Sequence, residues 1–132
     1  MKICLIGSSR FVEEYRAVNR RLTLSGHVVY TIAAISSSAS ESVKAEEVIT
    51  EDDKTTLDLA HFLKMQASEA VLIVTDNTGY IGFSTKREIK WAMMNRLFIY
   101  QMGDLDVLCG LQDEYQKVIG DIPKGILGEI FR

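Results

Sequence analysis

The side chain best placed for chemistry in this sequence is the carboxylate of Glu88, which follows the loop Gly79-Tyr80-Ile81-Gly82 and the run Phe83-Ser84-Thr85-Lys86-Arg87. That loop follows Ala70-Val71-Leu72-Ile73-Val74, a continuous apolar run of strand length. Ile89, Ala92, Met93 and Leu97 then recur at helical spacing. The unit therefore predicts a buried strand, a glycine loop and a helix, with Glu88 one turn inside the helix at the carboxyl edge of a sheet. Ligands of open α/β sheets bind at that edge, and a carboxylate there serves as nucleophile or base toward a sugar or phosphate. The same residues support a plainer role. Thr85-Lys86-Arg87-Glu88 matches the S/T-x-x-E capping box, in which the glutamate only accepts from a backbone N–H.

Two other groups have comparable potential. Gly7-Ser8-Ser9-Arg10 lies between an apolar strand and an amphipathic helix, so backbone N–H groups, two hydroxyls and a guanidinium converge where an anion meets a helix N-terminus. It is not a GxGxxG fingerprint, and the alternative is that Ser9 caps the helix while Arg10 lies in solvent. His61 falls in mid-helix near Asp58 and Lys64. Histidines as a class exchange protons near neutrality, although a lone helical histidine is more often structural than catalytic. Asp76, at the end of the strand before the glycine loop, reads as the cap of a turn with Asn77.

The elements that would hold these groups alternate. Lys2 to Gly7 reads as a strand, Phe11, Tyr15, Val18 and Leu22 as one face of a helix ended by Ser25-Gly26, and His27 to Ile32 as a second strand. Residues 33 to 50, with the run Ser36-Ser37-Ser38-Ala39-Ser40-Glu41-Ser42, read as a long loop, either a lid or a connection without a role. Thr50 or Asp52 is expected to cap a helix running to about Ala67; the third strand, the Glu88 helix and a fourth strand from Leu97 to Gln101 follow. A helix is expected within Asp104 to Val118. Ile119 to Arg132 holds the sole proline, Pro123, among three glycines. The expected fold is α/β: a single-domain, Rossmann-like, mainly parallel sheet of four or five strands in flavodoxin-like order, flanked by helices.

Composition narrows the function classes. The 132 residues are 47% hydrophobic and 25% charged, enough for one domain with a core, residues 1–132. A net charge of −3 argues against a nucleic-acid polymer as partner, because such affinity comes from clustered Lys and Arg. Cys4 lies in an apolar run and Cys109 far from it, without CxxC or metal-ligand spacing, so both read as buried thiols of a reducing compartment. No apolar run approaches the ~18 residues of a membrane span. The expectation is a cytoplasmic protein with neither membrane partner nor metal or other cofactor.

Taken in order, Ile6-Gly7-Ser8-Ser9-Arg10-Phe11, His61-Phe62-Leu63-Lys64-Met65, Ser68-Glu69-Ala70-Val71-Leu72-Ile73-Val74, and Gly79 through Ile89 with Ala92 resemble the nucleoside 2-deoxyribosyltransferase-like superfamily. The resemblance covers residues 2 to about 101. It is nearest to small bacterial and phage members of that superfamily, which also contains nucleoside 5′-monophosphate N-glycosidases. It implies that Glu88 is the nucleophile that attacks the anomeric carbon, giving a glycosyl intermediate resolved by water or a second base. It further implies a substrate site of Gly7, Ser8, Ser9, Arg10, Asp76, Tyr80, Gly82, Ser84 and Thr85. The ligand would be a nucleoside or nucleotide, and the protein a homo-oligomer in which neighbouring subunits complete each site. Eight residues before Glu69, where the enzymes carry an aspartate that handles the base, this chain has His61, which can protonate a leaving ring nitrogen. The Gly7-Ser8-Ser9-Arg10 turn resembles the monophosphate hydrolases more than the transferases. Two alternatives remain: a non-catalytic nucleotide sensor on the same scaffold, and a flavin or nicotinamide binder, for which Tyr80 and Trp91 are the available stacking residues.

Overall fold

The computed structural model describes residues 1–32 and 50–110. The expected loop at 33–49 and everything beyond Gly110, including the second half of the helix expected within 104–118, lie outside the described residues. Four parallel strands form one sheet in the order β2-β1-β3-β4, where β1 is Lys2–Gly7, β2 Val28–Tyr30, β3 Ala70–Val74 and β4 Phe98–Gln101. This is the expected flavodoxin-like order, and every described pairing is parallel. The second strand is shorter than the sequence suggests. His27 is instead drawn aside, its Nε2–H donating to the Leu108 carbonyl at 2.8 Å.

Alternation along β1 and β3 divides the core. Ile3, Leu5, Ala70, Leu72 and Val74 face α1 (Val12–Leu24) and α4 (Leu105–Gly110), where Tyr15, Val18, Leu22, Leu105 and Leu108 close the layer. Cys4, Ile6, Val71 and Ile73 face the opposite way, toward Met65 of α2 (Glu51–Gln66) and Ala92 of α3 (Phe83–Met94). Both faces of the two central strands are covered, which is why β3 is a continuous apolar run and not an alternating one. A 3-10 turn, Met102–Asp104, leads from β4 into α4.

Of the two caps expected for α2, Thr50 or Asp52, it is Thr50 that caps the helix. The Thr50 hydroxyl accepts from the Asp53 N–H at 3.1 Å, and the Asp53 carboxylate accepts from the Thr50 N–H at 3.0 Å. The bonds lower the Asp53 carboxyl below the ordinary carboxylate range.

The chain reverses its direction across the sheet between β1 and β3, whose carboxyl ends are register partners at Gly7 and Val74. A crevice at such a reversal is the usual ligand position in open α/β sheets. Gly7 makes the close approach possible: its φ is +143°, and a Cβ there would stand 2.4 Å from the Val74 carbonyl oxygen.

Candidate functional site

Helix α3 starts at Phe83 with Gly82 as its N-cap, and Glu88 is its sixth residue. Thr85 is therefore inside the first turn and cannot be the cap of a capping box. The structural reading of Glu88 as a capping residue is overturned by this geometry. The carboxylate turns instead toward α2, where Glu88 Oε2 lies 3.2 Å from His61 Nε2. Their side chains are only 15% and 13% exposed, so the pair is shielded from bulk water. Since the carboxylate accepts, Nε2 carries the hydrogen, which places the remaining ring nitrogen, Nδ1, as the one free to change its proton. Nδ1 is itself buried without a partner.

The other buried orphan among the described residues is the Tyr15 hydroxyl. It reaches up from α1 to within 3.2 Å of where a Gly7 Cβ would be, at the end of β1. Burial first, then the charge of Glu88, then Cys4, push its acidity down, raising the pKa. Cys4, on the other face of β1, responds alike: burial and Glu88 carry the thiol up to about 12, against the opposing effect of Lys64. The charge of Glu88 thus bears on groups of both faces of β1. The sequence reading placed Tyr15 only on the apolar face of α1. The signal available was a hydroxyl on an otherwise hydrocarbon stripe. Lys64, one turn beyond His61, donates to the Thr31 carbonyl at 2.8 Å and ties α2 to the carboxyl end of β2.

The loops above the crevice meet each other. The Arg10 guanidinium carbon stands 3.7 Å from the centroid of the Tyr80 ring and 5.2 Å from that of Phe11. Phe11 meets Tyr80 edge to face, with centroids 6.5 Å apart. Arg10 is exposed but stacked, not loose in solvent, and Ser9 does not cap α1: the N-cap is Phe11, without a side-chain bond. The Ser8 hydroxyl accepts from the Arg10 N–H at 3.4 Å. Asp76 does cap a turn, but with Thr78 and not Asn77. Its carboxylate accepts from the Thr78 N–H at 3.0 Å and from the Thr78 hydroxyl. These bonds, with a smaller contribution from Arg10, lower its carboxyl below the ordinary range.

No family model, curated protein or solved structure matches the chain. The site stands on its own geometry. The structure brings Glu88 to His61 and Arg10 to Tyr80, with Gly7 beneath; Gly82 ends the loop as the α3 N-cap, beside the Tyr80 hydroxyl. Thr85 is buried one turn before Glu88, and Ser84 is exposed on the first turn of α3. Among the described residues no cluster of His, Cys, Asp or Glu could hold a metal ion. No helix among them is long and apolar enough to cross a membrane.

Proposed function

We propose that this protein cleaves or transfers the N-glycosidic bond of a nucleoside or nucleoside 5′-monophosphate, with Glu88 as nucleophile. The observation that carries the reading is the Glu88–His61 pair: a carboxylate released from any capping duty, shielded from bulk water and held 3.2 Å from a histidine at the carboxyl edge of the sheet. In this mechanism a Glu88 oxygen bonds to the anomeric carbon as the carbon–nitrogen bond breaks, and the electron pair leaves with the base. Protonated His61 neutralises that nitrogen by giving up a proton. Water, or a second base in a transfer, then attacks the anomeric carbon, frees Glu88 and returns a proton to His61. Membership of the nucleoside 2-deoxyribosyltransferase-like superfamily, a cytoplasmic location and a homo-oligomeric state belong to the same proposal. Exposed Phe83, Met93 and Met94 on α3 and Leu59 and Leu63 on α2 offer apolar surface to a second copy.

The test is incubation with nucleosides, nucleoside monophosphates and NAD, followed by chromatography for free base. Wild type is expected to release base from at least one of them. Glu88→Gln, which keeps the shape and removes the charge, is expected to lose at least a thousandfold in rate with its melting temperature nearly unchanged. Wild-type turnover by Glu88→Gln would remove Glu88 from the mechanism. If His61 supplies the proton, His61→Ala is expected to lose most of the rate, and His61→Asp to retain more activity than His61→Ala. One observation favours a second reading: the carboxylate is already engaged by His61, which suits a non-catalytic nucleotide sensor. Ligand binding without base release by the parent would select it.

A further inference from the structure

Helix α3 holds Glu88 on its inner side and an unmatched surface on its outer side. Thr85 and Ala92 are buried and Glu88 turns to α2, so the opposite side carries Phe83, Arg87, Lys90 and Met94 at i, i+4, i+7 and i+11, one stripe along the helix. Phe83 is 79% and Met94 74% exposed, and exposed Lys86 and Met93 border the stripe. Lys86, Arg87 and Lys90 form no ion pair with any described residue. The helix supplies no balancing charge. Its one acid, Glu88, is engaged by His61, and Lys86 and Lys90, four residues apart, repel each other. Single apolar residues scattered on a surface are ordinary, whereas two bulky ones bracketing two unpaired cations in one line form a patterned face.

Charge decides what fits that face. An anionic bilayer or a nucleic acid laid on it would also meet α2, which packs beside α3 through Phe62 and Trp91, rings 6.0 Å apart, and exposes Glu51, Asp52, Asp53 and Asp58. A second copy brings too few acids. On α2 only Asp52 stands in line with exposed Leu59 and Leu63, at i, i+7 and i+11, because Glu51 is paired to Lys54, Asp53 is bound to Thr50, and Asp58 lies off that line. One acid does not match three bases, and a homo-oligomer formed through Leu59 and Leu63 leaves the α3 stripe free. We propose that the outer face of α3 docks an acidic amphipathic helix of a partner protein, whose apolar residues cover Phe83 and Met94 while its carboxylates pair with Lys86, Arg87 and Lys90. Such a seat is one helix wide, so the partner avoids the acids of α2. Glu88 lies on the other side of α3, and the inference is independent of the proposed chemistry.

The experiment is fluorescence anisotropy of the full chain with a labelled helical peptide of ~18 residues, long enough to form four or more turns, built from Ala, Leu and Glu with leucines at i, i+4, i+7 and i+11 and glutamates beside them. The controls are a scrambled peptide of the same composition, a version with Lys in place of every Glu, and vesicles of phosphatidylcholine with and without phosphatidylglycerol. The acidic peptide is expected to bind with a Kd on the order of tens of micromolar and to weaken as salt is raised. The double variant Arg87→Glu, Lys90→Glu is expected to bind it about tenfold more weakly and to gain affinity for the Lys peptide, an exchange that a merely damaged fold would not produce. Phe83→Ser is expected to weaken the acidic peptide about fivefold with an unchanged melting temperature, because the ring is exposed in the free protein. Four results overturn the proposal: no binding of the acidic peptide; equal binding of the scrambled one; capture by anionic vesicles that the charge reversals abolish; or self-association of the parent in sedimentation that Phe83→Ser dissolves, which would give the stripe to a second copy.

Discussion

Tyr15 shows how a residue can be costly to the fold and useful to the site. Its hydroxyl is fully buried at the end of β1 without a partner, and an unpaired buried polar group costs on the order of 1–3 kcal/mol. A helix face built for packing alone would carry phenylalanine there. The hydroxyl instead feels the charge of Glu88, and under the proposed function a bound ligand is expected to supply the partner it lacks. Tyr15→Phe is therefore expected to stabilise the protein by about 1 kcal/mol in urea denaturation and to slow base release at least tenfold. A destabilised Tyr15→Phe would show that the hydroxyl has a partner at rest and contradict this account. The sequence made Glu88, His61 and Arg10 legible as candidates because their types and their neighbours in the chain suggested roles. It could not pair them. Whether Glu88 caps α3 depended on where the helix begins, and a start at Phe83 and not at Lys86 turned a capping box into an interior carboxylate. Tyr80 as the seat of Arg10 was likewise invisible, since 70 residues separate two loops that only the β1–β3 register brings together.

At the level of elements, the strand-to-loop junctions carry the tightest constraints. Gly7 and Gly79 both have positive φ, +143° and +71°, but they differ in surroundings. A Cβ on Gly7 would collide with the Val74 carbonyl, whereas one on Gly79 would meet open space. Gly7→Ala must therefore part β1 from β3 or distort both, and is expected to cost about 2–4 kcal/mol; Gly79→Ala bears only the left-handed penalty of about 1–2 kcal/mol. Urea midpoints compare the two, and equal losses would mean that the β1–β3 approach is not the constraint. Helix α2 gives a pH prediction. Asp53 has a folded-state pKa below its unfolded value, so its contribution is complete above the ordinary carboxylate range and is lost as pH falls through the folded value. Asp53→Ala removes the carboxylate that accepts from the Thr50 N–H and is expected to destabilise the protein at pH 7. The gap between variant and parent is expected to narrow at pH 3, and thermal melts at the two pH values test it. These junctions also show what the sequence could convey about elements. The apolar run of β3 and the periodicity of α1 were plain, because burial on two faces and on one stripe leaves different spacings. The true length of β2 was not: at its start His27 bonds the Leu108 carbonyl, a partner 81 residues away, and at its end Thr31 and Ile32 fall outside the strand.

For the molecule as a whole, the two-faced core predicts where opening must be global. Cys4 sits on β1, between β2 and β3 in the sheet, with α2 and α3 against its face; it is fully buried, and burial with the Glu88 charge carries its thiol up to about 12. Neither the thiol nor the thiolate is accessible in the native state, so alkylation at pH 8 has to await an opening that separates β1 from α2 and α3. That opening breaks the sheet at its centre, and its free energy should equal the global unfolding free energy. Cys109, partly exposed on α4, is expected to react first. Alkylation with iodoacetamide followed by mass spectrometry should give two well-separated rates. The Cys4 rate should rise with urea at the slope of the equilibrium unfolding transition, and the Cys109 rate should be nearly independent of it. A Cys4 rate insensitive to low urea would mean that α2 and α3 lift from the sheet without global unfolding. The Glu88–His61 pair would then be held by a layer that opens on its own, and its shielding from water would be intermittent. A shared steep slope for Cys4 and global unfolding would instead show that the carboxylate, the histidine and the central strands form one cooperative unit, the rigidity that a preorganised nucleophile requires.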